Sequence, residues 1–111
     1  MNNYVQWLSE LGMGDVEHVG GKNASLGEMI QNLSNLGVQV PGGFATTAYA
    51  YREYLATDGL ADRINTALAS LDVDDVKALA ETGAKIRSWI METPFQPALN
   101  EAIDEAYTAL I

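Results

Sequence analysis

The residue best placed for chemistry is Lys22, which follows two glycines, Gly20 and Gly21, and precedes an amphipathic segment. Apolar residues recur through that segment at the i, i+3, i+4, i+7 spacing of one buried helical face: Leu26, Met29, Ile30, Leu33 and Leu36. The spacing predicts a helix over residues 23–36, so Lys22 lies at or just before its N-terminus. There the first backbone N–H groups lack intrahelical partners and the macrodipole places roughly +0.5 charge, which favours an anion.

The glycines and the lysine together suit a phosphate group. Glycine takes φ > 0 and, without a Cβ, lets a ligand approach the backbone, while a lysine ammonium is a point charge for a phosphate oxygen. Lys22 is also the only lysine or arginine before Arg52. The pattern is not a Walker A loop, which would require glycine at Val16 and serine or threonine at Asn23. The alternative is a glycine-rich turn whose lysine is merely solvated.

His18, the only histidine, lies just before the glycine pair. Histidine can transfer protons or bind a metal near neutral pH, but a single histidine without such partners is more often structural. The sequence holds no Ser/His/Asp or Cys/His set and no metal-ligand spacing. We therefore predict no catalytic residue and no metal ligand in this segment.

Composition limits the function classes. The 111 residues, 48% of them hydrophobic, describe one small globular domain or a piece of a larger one. Fifteen acidic residues against six basic ones, for a net charge of -9, argue against a nucleic-acid or anionic-membrane partner. The chain has no cysteine and no run of ~18 apolar residues, and we expect a cytoplasmic protein.

The remaining patterns predict a helix-rich α/β (α+β) fold with two or three short strands and about five helices. Residues 4–8 and 44–46 predict strands, and residues 9–17 predict a connecting loop. So few short strands do not make a self-sufficient sheet, and we expect them to pair with strands outside this chain. The last helix runs to Ile111 without a stop signal, which favours the front part of a longer protein over a small helical domain.

Capping residues and prolines set the predicted helix boundaries. They are Gly37 as a left-handed C-cap, Thr46 or Thr47 as the N-cap of a helix over residues 48–56, Asp72 as a further N-cap, Pro94 as a stop, and Pro97 in the first turn of the last helix.

Four stretches carry a resemblance to a known family: residues 19–29 (VGGKNASLGEM), 40–48 (VPGGFATTA), 84–90 (AKIRSWI) and 93–97 (TPFQP). Together they resemble the amino-terminal region of phosphoenolpyruvate synthases, or pyruvate, water dikinases, in the pyruvate phosphate dikinase family. The resemblance covers nearly the whole chain. Each stretch alone would be a weak signal, whereas the set is specific.

The resemblance implies that residues 1–111 are the amino-terminal fragment of a PEP/pyruvate-binding nucleotide-binding domain of the ATP-grasp type, without the phosphohistidine and pyruvate-binding domains. Enzymes of this kind convert ATP, pyruvate and water to AMP, phosphoenolpyruvate and phosphate, using Mg²⁺ and a phosphohistidine carrier. The resemblance also implies that Lys22 holds the ATP phosphates and that Gly20 and Gly21 shape its loop. His18 does not match the phosphorylated histidine, and the Mg²⁺ ligands are expected outside this segment, which is inactive alone.

The partners implied are ATP and pyruvate as small-molecule substrates, and a second copy of the full-length protein in a homodimer. Two alternatives stay open. The same ATP domain occurs with other acceptors, as in pyruvate phosphate dikinase or an antibiotic phosphotransferase. The chain could instead be a non-catalytic acidic helical module whose apolar faces bind a partner protein.

Overall fold

The structure, a computed structural model, describes residues 3–111 and shows a helix-rich α+β fold. The strands are β1 (Val5–Trp7) and β2 (Phe44–Thr46). The α-helices are α1 (Val16–Val19), α2 (Gly21–Asn35), α3 (Ala48–Leu55), α4 (Leu60–Ala69), α5 (Val76–Glu92) and α6 (Pro97–Leu110), with 3₁₀ turns at Leu8–Glu10, Met13–Asp15 and Thr57–Gly59. The predicted fold class is confirmed. Among residues 3–111, no helix combines the length and the apolar character needed to cross a membrane.

The two strands pair with each other in an antiparallel ladder. Val5 lies opposite Thr46, and Trp7 lies opposite Phe44. The prediction that they also pair with strands outside this chain concerns the outer edges of this ladder and stays a prediction. The first strand is shorter than predicted, because Leu8 begins a 3₁₀ turn at the end of the ladder.

The chain divides into two compact units, and the first contains the residues up to Arg52 together with Pro97–Ile111. Two buried clusters form its core. In one, Val5 of β1 packs with Ala102 and Ala106 of α6, and in the other the members are Leu11, Val19, Ala24 and Ala45. The small alanines allow close approach of the helices to the ladder, and the apolar area removed from water stabilises the unit by about 25 cal/mol per Å².

The segment predicted as a loop over residues 9–17 contains helical turns instead. The N–H of Leu11 donates to the Leu8 carbonyl at 3.1 Å, and the N–H of Asp15 donates to the Gly12 carbonyl at 3.0 Å. Such short 3₁₀ turns carry no apolar period of their own, so sequence spacing did not reveal them. They provide the surface on which α2 packs.

The predicted capping and stop residues are confirmed except for one N-cap, although α2 begins two residues earlier than predicted. Gly37 has a left-handed φ of 81°, Thr47 Oγ1 accepts from the Ala50 N–H at 3.1 Å, and α6 begins at Pro97. Asp72 was the wrong N-cap: the Asp75 side chain accepts from the Ala78 N–H at 3.1 Å. Asp72 instead accepts from the Asp74 N–H at 3.0 Å within the preceding turn, so α5 begins one turn later.

The second unit, Glu53–Gln96, is a helical hairpin of α4 and α5. The Arg63 guanidinium on α4 lies 5.3 Å from the centre of the Trp89 ring on α5. Tyr54 is buried, and its hydroxyl lies 2.6 Å from the Ile90 carbonyl and 2.8 Å from the Thr93 carbonyl. Since the last carbonyls of a helix have no intrahelical donor, this hydroxyl caps the end of α5.

Replacing Tyr54 with phenylalanine should lower the free energy of unfolding by about 1–2 kcal/mol, because it removes the one hydrogen that the hydroxyl donates to this pair of carbonyls. Urea denaturation of the variant measures the change. Tyr51→Phe is the matched control on the same helix, since Tyr51 is 57% exposed and its hydroxyl has no recorded partner within residues 3–111. Equal losses in the two variants would contradict the capping role.

Candidate functional site

Lys22 lies in the first turn of α2. The helix begins at Gly21, two residues earlier than predicted. In its first backbone hydrogen bond, the Ala24 N–H donates to the Gly20 carbonyl at 3.1 Å. The N–H groups of Gly21, Lys22 and Asn23 therefore precede the helical ladder. They are the groups that a bound anion can contact at a helix N-terminus.

The two glycines have different roles. Gly20 has φ 86° and ψ 162°, a region that is essentially restricted to glycine, and it turns the chain from α1 into α2. Gly21 is helical, so only one of the two needs the positive φ that both could adopt. A Cβ at either position would meet no described atom within 4 Å. A ligand can therefore approach the backbone on this side.

The charges around this N-terminus are unusual for a helix. In the described chain no acidic residue lies in the first turn of α2, and no side chain caps it. Lys22 is exposed, and within residues 3–111 its ammonium group has no hydrogen bond or ion pair. A cation at the positive end of the macrodipole is unfavourable by about 0.3–1 kcal/mol. The arrangement becomes favourable when an anion binds between the lysine and the helix.

Lys22 stands at the end of an open groove of about 670 Å³ along one side of α2. The groove is mainly apolar, and Met13 of the second 3₁₀ turn faces Leu26 and Met29 of α2 across it. Gly21 and Ser25 complete the lining. The structure thus places Gly21 and Lys22 together at this groove, while Gly20 supplies the turn that begins the helix.

Three residues of α2 hold the helix against the preceding turns: Gly27, Glu28 and Gln31. The sequence analysis assigned them no role. A Cβ at Gly27 would lie 2.5 Å from the Leu11 carbonyl oxygen, so only glycine allows this approach. Gln31 Nε2 donates to the same carbonyl at 2.6 Å, and Glu28 Oε2 accepts from the Met13 N–H at 3.1 Å. A glycine within a helix interior was the one available signal.

His18 lies apart from this groove. It is exposed in the last turn of α1 and lines a separate cavity of about 390 Å³. The other lining residues are Asn3, Gln6, Leu11, Asp15, Thr47 and Tyr49. Over residues 3–111, no three histidine, cysteine or carboxylate side chains come together in a group that could hold a metal ion.

Comparison with known families gives one match that covers most of the chain. Residues 16–111 match the family model described as pyruvate phosphate dikinase, AMP/ATP-binding domain. The matched range contains the Gly20 turn, Lys22 and all of α2.

Individual relatives are similar over nearly the full chain. The phosphoenolpyruvate synthase of Pseudomonas aeruginosa is 63% identical over 110 residues, which are 99% of this chain and 14% of the relative. That of Neisseria meningitidis is 57% identical over 110 residues, with the same coverage. That of Escherichia coli is 58% identical over 106 residues, which are 96% of this chain and 13% of the relative. The chain thus spans about a seventh of the length of these relatives.

Proposed function

This chain belongs to the pyruvate phosphate dikinase AMP/ATP-binding domain family, and from that premise we propose that it is part of a phosphoenolpyruvate synthase and contributes to the binding of ATP phosphates. The observation that carries the proposal is Lys22, exposed and unpaired within residues 3–111, in the first turn of a helix that has no acidic residue there. Gly20, which turns the chain into α2, and Gly21, the first residue of that helix, are the proposed residues that present it. The names of the relatives favour this synthase over a pyruvate phosphate dikinase or an antibiotic phosphotransferase.

In the proposed enzyme ATP, pyruvate and water give AMP, phosphoenolpyruvate and phosphate through a phosphohistidine. Phosphoryl transfer is catalysed mainly by positioning and by neutralising charge on the phosphate oxygens. Lys22 supplies one positive charge for that purpose, and the free N–H groups of the α2 N-terminus supply hydrogen-bond donors. The lysine therefore acts as a cation that holds the phosphate oxygens, and it is neither a base nor a nucleophile.

The rest of the proposed machinery lies in other parts of the enzyme. The carrier histidine and the pyruvate site belong to further domains, and this segment belongs to the ATP-grasp-type domain. Within residues 3–111 no three histidine, cysteine or carboxylate side chains come together. The Mg²⁺ ligands are proposed to lie outside this segment, and we assign no step to the metal here. A cytoplasmic location and a homodimer of the complete enzyme are part of the proposal.

The segment alone should bind Mg·ATP at least ~100-fold more weakly than the complete polypeptide, because an open groove leaves most of the nucleotide in water. Isothermal titration calorimetry of both proteins measures the difference. Inorganic tripolyphosphate is a useful second titrant, since it tests the phosphate contacts without a base. Equal affinity of the segment and the complete polypeptide for Mg·ATP would refute this division of the site.

A further inference from the structure

The second unit carries an open cavity of its own, between α4 and α5. Its volume is about 400 Å³, which is on the scale of small-molecule sites. The lining residues are Asp62, Arg63, Thr66, Ala67, Ser70 and Trp89. All of them lie within Glu53–Gln96, and none of them lines the groove beside Lys22.

Helix α4 supplies most of this lining from one face. Arg63, Thr66, Ala67 and Ser70 follow the i, i+3, i+4, i+7 spacing at which side chains share a helical face. With a rise of 1.5 Å per residue, Thr66 lies about 4.5 Å and Ser70 about 10 Å beyond Arg63 along the axis. The small Ala67 side chain leaves room between the polar groups, and α5 contributes the indole of Trp89.

The Arg63 guanidinium is held in place without using its hydrogen-bond donors. It lies over the Trp89 ring, 5.3 Å from the ring centre, within the range of a cation–π contact. Within residues 3–111 it has no recorded hydrogen bond or ion pair, although Asp62 lines the same cavity. Arg63 is also exposed, so its N–H donors remain available to a ligand.

Two hydroxyl groups extend the polar surface along α4. Ser70 Oγ lies 3.4 Å from the Thr66 carbonyl and 3.3 Å from the Ala67 carbonyl, so the helix backbone uses its hydrogen and its lone pairs can accept. The Thr66 hydroxyl has no recorded partner in the described part of the chain and can donate or accept. A ligand in the cavity therefore meets a cation at one end and hydroxyl groups beyond it.

These groups select an anion of a particular kind. The planar fork of a guanidinium matches the two oxygens of a carboxylate, and such bidentate pairs are strong. The Asp62 carboxylate and the net charge of -9 oppose a doubly charged phosphate more than a singly charged carboxylate. The volume exceeds that of one acid group, and the indole offers a surface on which a planar ring can pack.

We infer that the cavity between α4 and α5 binds a small organic carboxylate, whose acid group pairs with Arg63 and whose planar body contacts Trp89. The Thr66 hydroxyl supplies a further hydrogen-bond donor. The site shares no residue with the proposed contact to ATP phosphates, and the inference does not depend on that function.

The test uses benzoate, a planar monocarboxylate, and the complete polypeptide labelled with fluorotryptophan. The fluorine NMR signal that Trp89→Phe removes reports on the cavity. Benzoate should shift this signal with a dissociation constant on the order of 1 mM, the range for a fragment-sized ligand. Benzamide, which has a similar shape and no charge, should bind at least about tenfold more weakly. Absence of a benzoate shift, or an equal affinity for benzamide, would overturn the inference.

Arg63→Gln should weaken benzoate binding at least about tenfold, because it removes the charged donor of the pair. Arg52→Gln is the matched control: Arg52 is also exposed but lies on α3, outside the cavity lining, and its variant should bind benzoate normally. Thr66→Val keeps the guanidinium and should weaken binding about threefold through the lost hydroxyl. If Arg63→Gln and Thr66→Val both bind benzoate normally, or if Arg52→Gln loses as much affinity as Arg63→Gln, this cavity is not a carboxylate site.

Discussion

Replacing Lys22 with alanine in the complete polypeptide is expected to slow ATP-dependent phosphorylation of the carrier histidine by at least ~10²-fold, the scale for losing one preorganised charge contact in an active site. The lysine is already placed at an uncapped helix N-terminus, without a competing carboxylate partner in the described residues. Its removal takes away charge that the transferring phosphoryl group needs and leaves the fold intact, because the side chain is exposed. Single-turnover phosphorylation with labelled ATP measures the rate.

Lys77→Ala is the matched control, because Lys77 is also exposed but lies in the first turn of α5 in the second unit. Its variant should phosphorylate the carrier histidine at the normal rate. Lys22→Arg separates charge from shape, since arginine keeps the positive charge but presents a planar group with different geometry. A normal rate for Lys22→Ala would remove the residue from the mechanism.

Gly27→Ala is expected to lower the free energy of unfolding by about 3 kcal/mol, the upper range for forcing an extra methyl into a packed interface. The new Cβ would lie 2.5 Å from the Leu11 carbonyl oxygen and 2.7 Å from that of Leu8. Both are backbone atoms, so the clash is relieved only if α2 moves away from the 3₁₀ turns. Helix propensity alone would favour alanine by about 1 kcal/mol, so the predicted sign is opposite to that of an isolated helix.

Gly21→Ala is the control for this prediction, because Gly21 is in the first turn of the same helix and its Cβ would meet no described atom within 4 Å. Thermal or urea unfolding should show a change below about 0.5 kcal/mol for this variant. If Gly27→Ala were as stable as the original chain, the close approach of α2 to the Leu11 backbone would not hold.

Local signals predicted a large part of this structure. The apolar period of α2, the left-handed C-cap at Gly37 and Pro97 in the first turn of α6 each depend on residues within one or two helical turns. Lys22 at the N-terminus of α2 follows from the same period. These features need no knowledge of what the helix packs against.

Features that depend on distant contacts were not predictable in the same way. The groove exists because Met13 lies against Ser25 and Met29, and no periodicity within one segment indicates that contact. The helical turns over residues 9–15 were predicted as part of a loop for the same reason, since backbone hydrogen bonds and the close approach of Gly27 hold them. At α5, two aspartates three residues apart both suited a cap, and only the geometry selects Asp75.

The isolation of Lys22 in an acidic chain has a kinetic consequence. The fifteen acidic residues create a negative potential that opposes the approach of free nucleotide. Salt screens this repulsion and the attraction of the one ammonium alike, over about 8 Å at physiological ionic strength. A nucleotide already neutralised by a divalent cation experiences less of that repulsion during its approach. On the proposed function, we therefore expect this segment to slow the encounter with free nucleotide more than the encounter with its metal-bound form.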